Sequence, residues 1–136
     1  MFTHSTKIRV RYGETDQMGY VYYGRYAEYF EAGRVEALRS IGISYKKLEE
    51  QGIMMPVLNL QVNYYMPLFY DEEVTVQVTI PELPTIRIKF LYKVFNAAGE
   101  LTADGETTLL FVDAFTRKPI RMPAEVIAAL EPHYKS

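Results

Sequence analysis

The first third of the chain changes from the alternation of a strand to the spacing of a helix. Residues 7–12 alternate charged and apolar side chains, which predicts a strand with one buried face. Over residues 24–41 the apolar side chains recur at steps of three and four, which predicts a long amphipathic helix. Gly42 follows at the position of a C-terminal cap, and residues 44–50 favour a short second helix.

The remainder of the chain favours strands separated by short turns. Apolar side chains recur at every second position over residues 58–64, 74–80 and 86–95, alternating with mainly polar ones, and a last long strand is expected over residues 101–113. Residues 96–99 are typical of a hairpin turn. A Pro near the first turn then predicts a C-terminal helix.

The order and linkage of these elements predict an α+β fold. Short links favour antiparallel neighbours, and a sheet with one long apolar-faced helix must bury that helix against itself. We therefore expect one curved antiparallel β-sheet wrapped around one long central α-helix. The length of 136 residues suits a single domain over 1–136, with no internal repeat or linker.

Composition narrows the classes of function. The absence of Cys excludes disulfides, thiolate metal ligands and a thiol nucleophile, and it fits a reducing compartment. A formal net charge of −2 provides no basic field that would attract nucleic acid. The N-terminus is short and polar, and no stretch approaches the ~20 apolar residues of a transmembrane segment. We expect a cytoplasmic protein.

Histidine chemistry is not expected, because His4 and His133 lie close to the termini. This argues against a Ser–His pair and against a His-ligated metal site, so we expect no metal. Carboxylates, Tyr hydroxyls and backbone N–H groups remain as candidates.

The strongest candidate is the loop over residues 13–24, which leads into the start of the long helix. It carries two carboxylates, Glu14 and Asp16, among aromatic side chains. A carboxylate in a partly dry pocket can act as a base or nucleophile, and helix N-terminal N–H groups can hold an oxyanion. On spacing alone, however, helix capping is favoured over catalysis for Asp, Thr and Gly at this place.

This loop also carries a family resemblance. Residues 10–26 have the sequence VRYGETDQMGYVYYGRY, which resembles the signature of the 4-hydroxybenzoyl-CoA thioesterase family, including its Tol–Pal-associated acyl-CoA thioesterases. Phe30-Glu31 supplies the pair that follows in the family's helix, and residues 62–72 are similar to its strand, Pro and acidic turn. The resemblance covers nearly the whole chain.

The resemblance implies a hotdog fold and hydrolysis of an acyl-CoA thioester without a cofactor. The catalytic carboxylate falls on Asp16, either as the nucleophile or as the base that activates water. The backbone N–H of Tyr23 is implied to polarise the thioester carbonyl. The substrate-binding residues expected in the same region are Gly19, Tyr22, Gly24 and Tyr26. Glu14 replaces a more common Asp, and Met18 stands where a small residue is usual.

The resemblance further implies a homodimer with sheets joined edge to edge, or a homotetramer made of two dimers, with active sites between subunits. The phosphates of CoA need cations, and Arg87 and Lys89 share one strand face. We expect this pair to bind the nucleotide end of CoA from the same or a neighbouring subunit, with ordinary solvated charges as the alternative.

Three alternatives stay open. Another hotdog branch carries its carboxylate on the central helix, where Glu31 would take that role, although Asp16 is preferred. A hotdog dehydratase or hydratase generally pairs His with a carboxylate, which this chain does not favour. A non-catalytic module that binds acyl-CoA or an acyl-carrier protein could retain the pocket, and only turnover separates it from an enzyme.

Overall fold

The structure, a computed structural model, describes residues 1–134 and has the expected α+β architecture. Its strands are β1 (Phe2–Arg9), β2 (Ile53–Met54), β3 (Val57–Tyr64), β4 (Glu73–Ile80), β5 (Arg87–Phe95), β6 (Leu101–Leu110) and β7 (Val112–Asp113). Its helices are α1 (Tyr26–Arg39), α2 (Tyr45–Glu50) and α3 (Ala124–Leu130), with short 3₁₀ turns at Tyr12–Glu14, Tyr23–Arg25 and Glu131–His133.

Five strands form one antiparallel sheet in the order β1–β4–β5–β6–β3. The links β4–β5 and β5–β6 join neighbours in the sheet, as the short turns predicted. The N-terminal strand β1 pairs with β4 from Phe2 opposite Ile80 to Arg9 opposite Glu73. Strands β1 and β3 are therefore the two edges of this sheet.

The core lies between α1 and the inner face of the sheet. The inward-facing apolar residues of β4 and β5 are almost fully buried and alternate with more exposed, mostly polar ones, as the sequence pattern predicted. The helix lies very close to β4, since a Cβ added at Gly33 would stand 2.8 Å from Val76 Cγ1 and 2.9 Å from Val78 Cγ2. Gly33 thus costs intrinsic helix stability but permits this close packing.

Three elements have bounds in the structure that differ from those predicted from the sequence. Strand β1 begins at Phe2, well before the predicted residue 7, because β4 offers pairing partners along its whole length. The helix begins at Tyr26 and is preceded by a separate 3₁₀ turn. The predicted strand over residues 101–113 is interrupted at Phe111, and β7 leaves the main sheet to pair with β2.

Candidate active site

The loop between β1 and α1 contains a tight hairpin that begins at Asp16. The Gly19 N–H donates to the Asp16 carbonyl at 2.9 Å, and the Asp16 N–H donates to the Tyr20 carbonyl at 2.8 Å. The arms meet where Thr15 bridges to Val21. Gly19 has a φ of +81°, a left-handed conformation that glycine adopts without strain. The Asp-x-x-Gly spacing therefore has a local structural cause.

Asp16 forms a turn and does not cap the helix. Its Oδ1 accepts the Met18 N–H at 2.9 Å, while the N-cap of α1 is Arg25, which makes no side-chain cap bond. The helix-capping interpretation that spacing alone favours is therefore wrong. The Asp16 side chain is half-buried, and within residues 1–134 its second oxygen, Oδ2, has no hydrogen-bond or ion-pair partner. That oxygen is therefore not committed to any group of the described chain.

Glu14, the second carboxylate of the loop, lies in a different environment. It is only 6% exposed, and its Oε1 accepts the Arg11 N–H at 2.8 Å and the Tyr29 hydroxyl at 3.0 Å. Its Oε2 lies 3.4 Å from the Arg11 guanidinium. Burial, together with the bond to Glu14, raises the pKa of Tyr29 far above its usual value. Glu14 is therefore committed to the protein's own groups.

The peptide group that joins Tyr22 to Tyr23 is held at the start of the helix. The Tyr22 carbonyl accepts the Arg25 N–H at 2.9 Å, so the Tyr23 N–H on the same trans peptide points away from the helix body. No atom of residues 1–134 accepts from this N–H. Helix starts leave such donors unsatisfied, and they suit a developing negative charge. The next carbonyl, that of Tyr23, accepts the Tyr64 hydroxyl at 2.9 Å.

Asp16 borders a largely aromatic cleft of about 300 Å³, here called the apolar cleft. The residues that line it with Asp16 come from the loop, α1 and the end of β3: Met18, Tyr20, Val21, Tyr23, Tyr26, Tyr64, Tyr65, Met66 and Pro67. The structure thus brings the predicted site residues Asp16, Tyr23 and Tyr26 together. Tyr64, Tyr65 and Met66 were not predicted as site residues, although they lie in the segment 62–72 that resembles the family's strand and acidic turn.

A second depression, here called the outer groove, also borders Asp16 and has a volume of about 590 Å³. Tyr12 and Tyr70 line it with edge-to-face rings 5.5 Å apart, and the loop contributes Gly13, Thr15, Gln17 and Gly19. The predicted residue Gly19 therefore belongs to this groove. Asp16 stands where the apolar cleft and the outer groove adjoin.

The remaining loop residues of the predicted site support the turn before the helix. Tyr22 lies beside Asp16 and Tyr23, with the Tyr22 and Tyr23 rings 4.5 Å apart. A Cβ at Gly24 would stand 2.7 Å from Tyr22 Cε2, so Gly24 makes room for that ring. The hydrogen bond with Tyr23 raises the pKa of Tyr22.

Tyr26 forms the buried wall of the apolar cleft at the start of α1. It is 3% exposed and contacts the Tyr64 ring edge-on at 5.0 Å. Burial, followed by the nearby Tyr64 and Glu72, raises its pKa to about 12. The hydroxyl of Tyr26 therefore stays neutral further into the alkaline range than that of an exposed Tyr.

Arg87 and Lys89 are not brought to Asp16 within one chain. Both lie on the outer face of β5, alternating with the buried Ile88, and neither lines the apolar cleft or the outer groove. Lys89 pairs with Glu106 at 3.1 Å. Their role toward CoA, from the same or a neighbouring subunit, stays a prediction. Glu31 is exposed and borders a separate cleft beside Arg34.

The described part of the chain has no metal-binding cluster, and no histidine lines the clefts that border Asp16. No group of three or more His, Cys, Asp or Glu residues within 1–134 is placed to hold a metal ion. His4 lies in β1 opposite Val78, and His133 contacts the Phe2 ring at 4.9 Å. No helix of residues 1–134 is long and apolar enough to cross a membrane.

Comparison with known proteins supports the architecture and the family. A Haemophilus influenzae protein named acyl-CoA thioesterase YbgC is 31% identical over 126 residues, covering 92% of this chain and 92% of that protein. A Bacillus subtilis protein with the provisional name acyl-CoA thioesterase YneP is 34% identical over 121 residues, covering 89% of this chain and 88% of that protein.

Among solved structures, a DHNA-CoA thioesterase from Staphylococcus aureus superimposes with a TM-score of 0.89 at 37% identity, covering 100% of this chain and 97% of that one. The fold is therefore the hotdog fold of thioesterases, as the sequence resemblance predicted. The family model described as the thioesterase-like superfamily matches residues 10–130. The chain belongs to the thioesterase-like superfamily.

Proposed function

We propose that this chain is an acyl-CoA thioesterase in which Asp16 is the catalytic carboxylate. The observation that carries the proposal is the position of Asp16. Its side chain is half-buried, its Oδ2 is unpaired within the described residues, and it lies between the apolar cleft and the outer groove. The names of the bacterial relatives support the same activity. The overall reaction takes acyl-CoA and water to a free carboxylic acid and the CoA thiol.

Two routes use the same carboxylate. In one, Asp16 attacks the thioester carbonyl carbon, CoA leaves as the thiolate and takes up a proton, and water then hydrolyses the mixed anhydride. In the other, Asp16 removes a proton from a water molecule that attacks the carbonyl directly. The proposal includes both routes, since Oδ2 is available for either.

The N–H of Tyr23 is proposed to donate to the thioester oxygen as negative charge develops there. Its direction away from the helix body and the lack of an acceptor within residues 1–134 support this role. Loss of one such donor typically slows turnover by ~10²–10³.

The two depressions that adjoin at Asp16 suit the two halves of the substrate. We assign the acyl group to the apolar cleft, because Met, Tyr and Pro side chains dominate its lining. The CoA arm then leaves through the outer groove, where backbone-rich loop residues and the Tyr12 and Tyr70 rings line the path. An aromatic-lined cleft accepts aryl and alkyl groups alike, and Met18 stands on its wall.

We also propose that two copies pair through the β3 edge. Val57, Leu58 and Leu60 are each nearly half-exposed, and two of them are consecutive, so both faces of the strand leave apolar surface uncovered. An edge strand with free N–H and C=O groups is a natural template for a second strand. Because Tyr64 ends β3 and lines the apolar cleft, a second copy at this edge would lie next to the site.

The test is release of free CoA thiol from short, long and aromatic acyl-CoAs by the wild type and by Asp16→Asn. Asn retains the oxygen that accepts the Met18 N–H, so the turn is expected to persist while the carboxylate is lost. We expect at least a ~10²-fold loss of kcat with an unchanged unfolding temperature.

Asp113→Asn is the matched control, because Asp113 also holds a turn through Oδ1, with the Phe115 and Thr116 N–H groups, and borders neither cleft. Full activity in Asp16→Asn would contradict the catalytic role of Asp16. If the wild type binds acyl-CoA and releases no thiol from any substrate, the chain is instead a binding module for acyl-CoA or an acyl-carrier protein.

A further inference from the structure

Glu14 is a buried carboxylate that the proposed chemistry does not use. It stands two residues before Asp16 and is 6% exposed. We propose that Glu14 and Tyr29 form a positioning pair that holds the Asp16 hairpin against the start of α1. This inference rests on the proposed thioesterase function, and it assigns neither residue a contact with substrate.

The side chain of Glu14 joins the beginning of the loop to the helix. Its Oε1 accepts the Arg11 N–H at 2.8 Å from the segment after β1, and the Tyr29 hydroxyl at 3.0 Å from the first turns of α1. One oxygen atom thus connects two elements that flank the loop.

The backbone of Glu14 joins the two ends of the loop. Its N–H donates to the Arg11 carbonyl at 3.0 Å, and its carbonyl accepts the Tyr22 N–H at 2.8 Å. The hairpin that begins at Asp16 lies between Glu14 and Tyr22. Its base is therefore closed by Glu14, whose side chain is in turn tied to Tyr29.

This arrangement fixes the distance between the two catalytic groups. Asp16 lies on one arm of the hairpin, and the Tyr23 N–H follows directly after Tyr22 on the other side. Catalytic groups lose much of their effect when they are misplaced by about 1 Å, which can cost ~10²-fold in rate. A pair that holds the hairpin at the helix start would therefore act on turnover more than on binding.

The charge of Glu14 strengthens the connection. Hydrogen bonds to an ionised acceptor are roughly twice as strong as neutral ones. The Arg11 guanidinium at 3.4 Å is largely solvent-exposed and contributes little by itself. The bond from the buried Tyr29 hydroxyl, which is 2% exposed, is therefore the contact to remove.

Tyr29→Phe removes that hydroxyl, and Tyr92→Phe is the matched control. Tyr92 is also a fully buried tyrosine, and its hydroxyl bonds to Thr107 in the sheet and interacts with the Arg34 guanidinium of α1, neither of which belongs to the loop. Both variants lose one buried hydroxyl and its polar interactions, so a role confined to fold stability predicts lower stability with unchanged kcat in each.

The measurements are kcat and KM for an acyl-CoA that the wild type hydrolyses, the unfolding temperature, and hydrogen exchange of the loop amides. For Tyr29→Phe we expect kcat to fall about tenfold and KM to change by less than about twofold, with faster exchange at the Asp16 and Gly19 N–H groups. For Tyr92→Phe we expect a lower unfolding temperature with wild-type kcat and wild-type loop exchange.

Equal kcat and equal loop exchange in the two variants would overturn the positioning role. Glu14→Gln provides a second test, since the amide oxygen can still accept from Tyr29 while the charge is lost. We expect a smaller fall in kcat than for Tyr29→Phe, and a double variant that is no worse than Tyr29→Phe alone. If the wild type hydrolyses no acyl-CoA, the proposed function fails, and loop exchange alone then decides the positioning role.

Discussion

Two carboxylates that stand two residues apart in the loop have opposite environments at the residue scale. Glu14 is buried and accepts hydrogen bonds from Arg11 and Tyr29, whereas Asp16 is half-buried and uses only Oδ1. A group whose lone pairs are taken by the protein cannot attack a substrate. The proposed catalytic role of Asp16 is therefore supported by hydrogen bonding as well as by the family resemblance.

The raised pKa of Tyr26 makes a residue-scale prediction about alkaline stability. Its folded-state pKa of about 12 exceeds the usual 10.0, so the folded chain holds the Tyr26 proton more tightly than the unfolded chain does. The stabilisation of the folded state that results is fully present below the pKa of the unfolded chain, and it is lost as the pH rises through about 10 to 12. Tyr26→Phe should therefore lose less stability than the wild type between about pH 9 and 11, by about 1 kcal/mol.

Urea unfolding of both proteins at the two pH values measures this difference. Other titrating groups, including Tyr45 and Tyr134, are common to both proteins and cancel in the comparison. Parallel losses in the wild type and Tyr26→Phe would show that Tyr26 ionises alike in the folded and unfolded chains.

At the scale of elements, glycines decide how closely α1 lies on the sheet. Gly33 of the helix faces Val76 and Val78 of β4. Gly105 of β6 lies beneath the Phe30 ring, which stacks on Tyr92 at 4.1 Å. The site depends on this packing, because the start of α1 carries both the Tyr23 turn and the Tyr26 wall of the apolar cleft.

Gly105→Ala should therefore destabilise the whole domain. The added Cβ would overlap the Gln61 carbonyl oxygen of β3 and stand 2.8 Å from Phe30 Cε2, so backbone and a buried ring would both have to move. We expect a loss of about 2–3 kcal/mol, the upper range for overpacking. Thermal unfolding measures it, with Gly13→Ala as the control, because nothing lies within 4 Å of a Cβ at Gly13. Equal stability of the two variants would contradict the close packing.

At the scale of the whole molecule, the exposed β3 edge is unusual for a chain that functions alone. The sheet has β1 at its other edge, and the exposed apolar side chains of β3 continue into Tyr65 and Met66, which line the apolar cleft. Dimerisation at β3 would cover this exposed apolar surface and would also enclose the apolar cleft.

Leu60→Lys should therefore weaken dimerisation by at least about tenfold, because it would place a charge in the paired edge. Sedimentation velocity over a range of concentrations measures the association. Leu91→Lys is the control, since Leu91 is also partly exposed but lies on β5 within the sheet. If Leu91→Lys dissociates the dimer and Leu60→Lys does not, the contact between the two copies lies on the outer face of the sheet and the β3 proposal is wrong.

The sequence by itself determined what depends on neighbouring residues. Apolar residues at every second position predicted β4 and β5 and their buried faces, because side chains in a strand point alternately to two sides. The Asp-x-x-Gly segment, with its family resemblance, located the candidate carboxylate at Asp16, and the turn that it forms is local. The interruption at Phe111 was not predictable in this way, since it follows from pairing with β2.

Only the tertiary structure decided which distant residues share the site and which carboxylate is free. Tyr64 and Met66 reach the apolar cleft because β3 lies beyond β6 in the sheet, an order that alternation alone does not specify. By residue type alone Glu14 and Asp16 are equivalent carboxylates, and their environments differ because the Tyr29 hydroxyl on α1 bonds to Glu14 and not to Asp16. Strand order and helix placement arise from packing across the core, so the composition of the site follows from contacts between residues far apart in sequence.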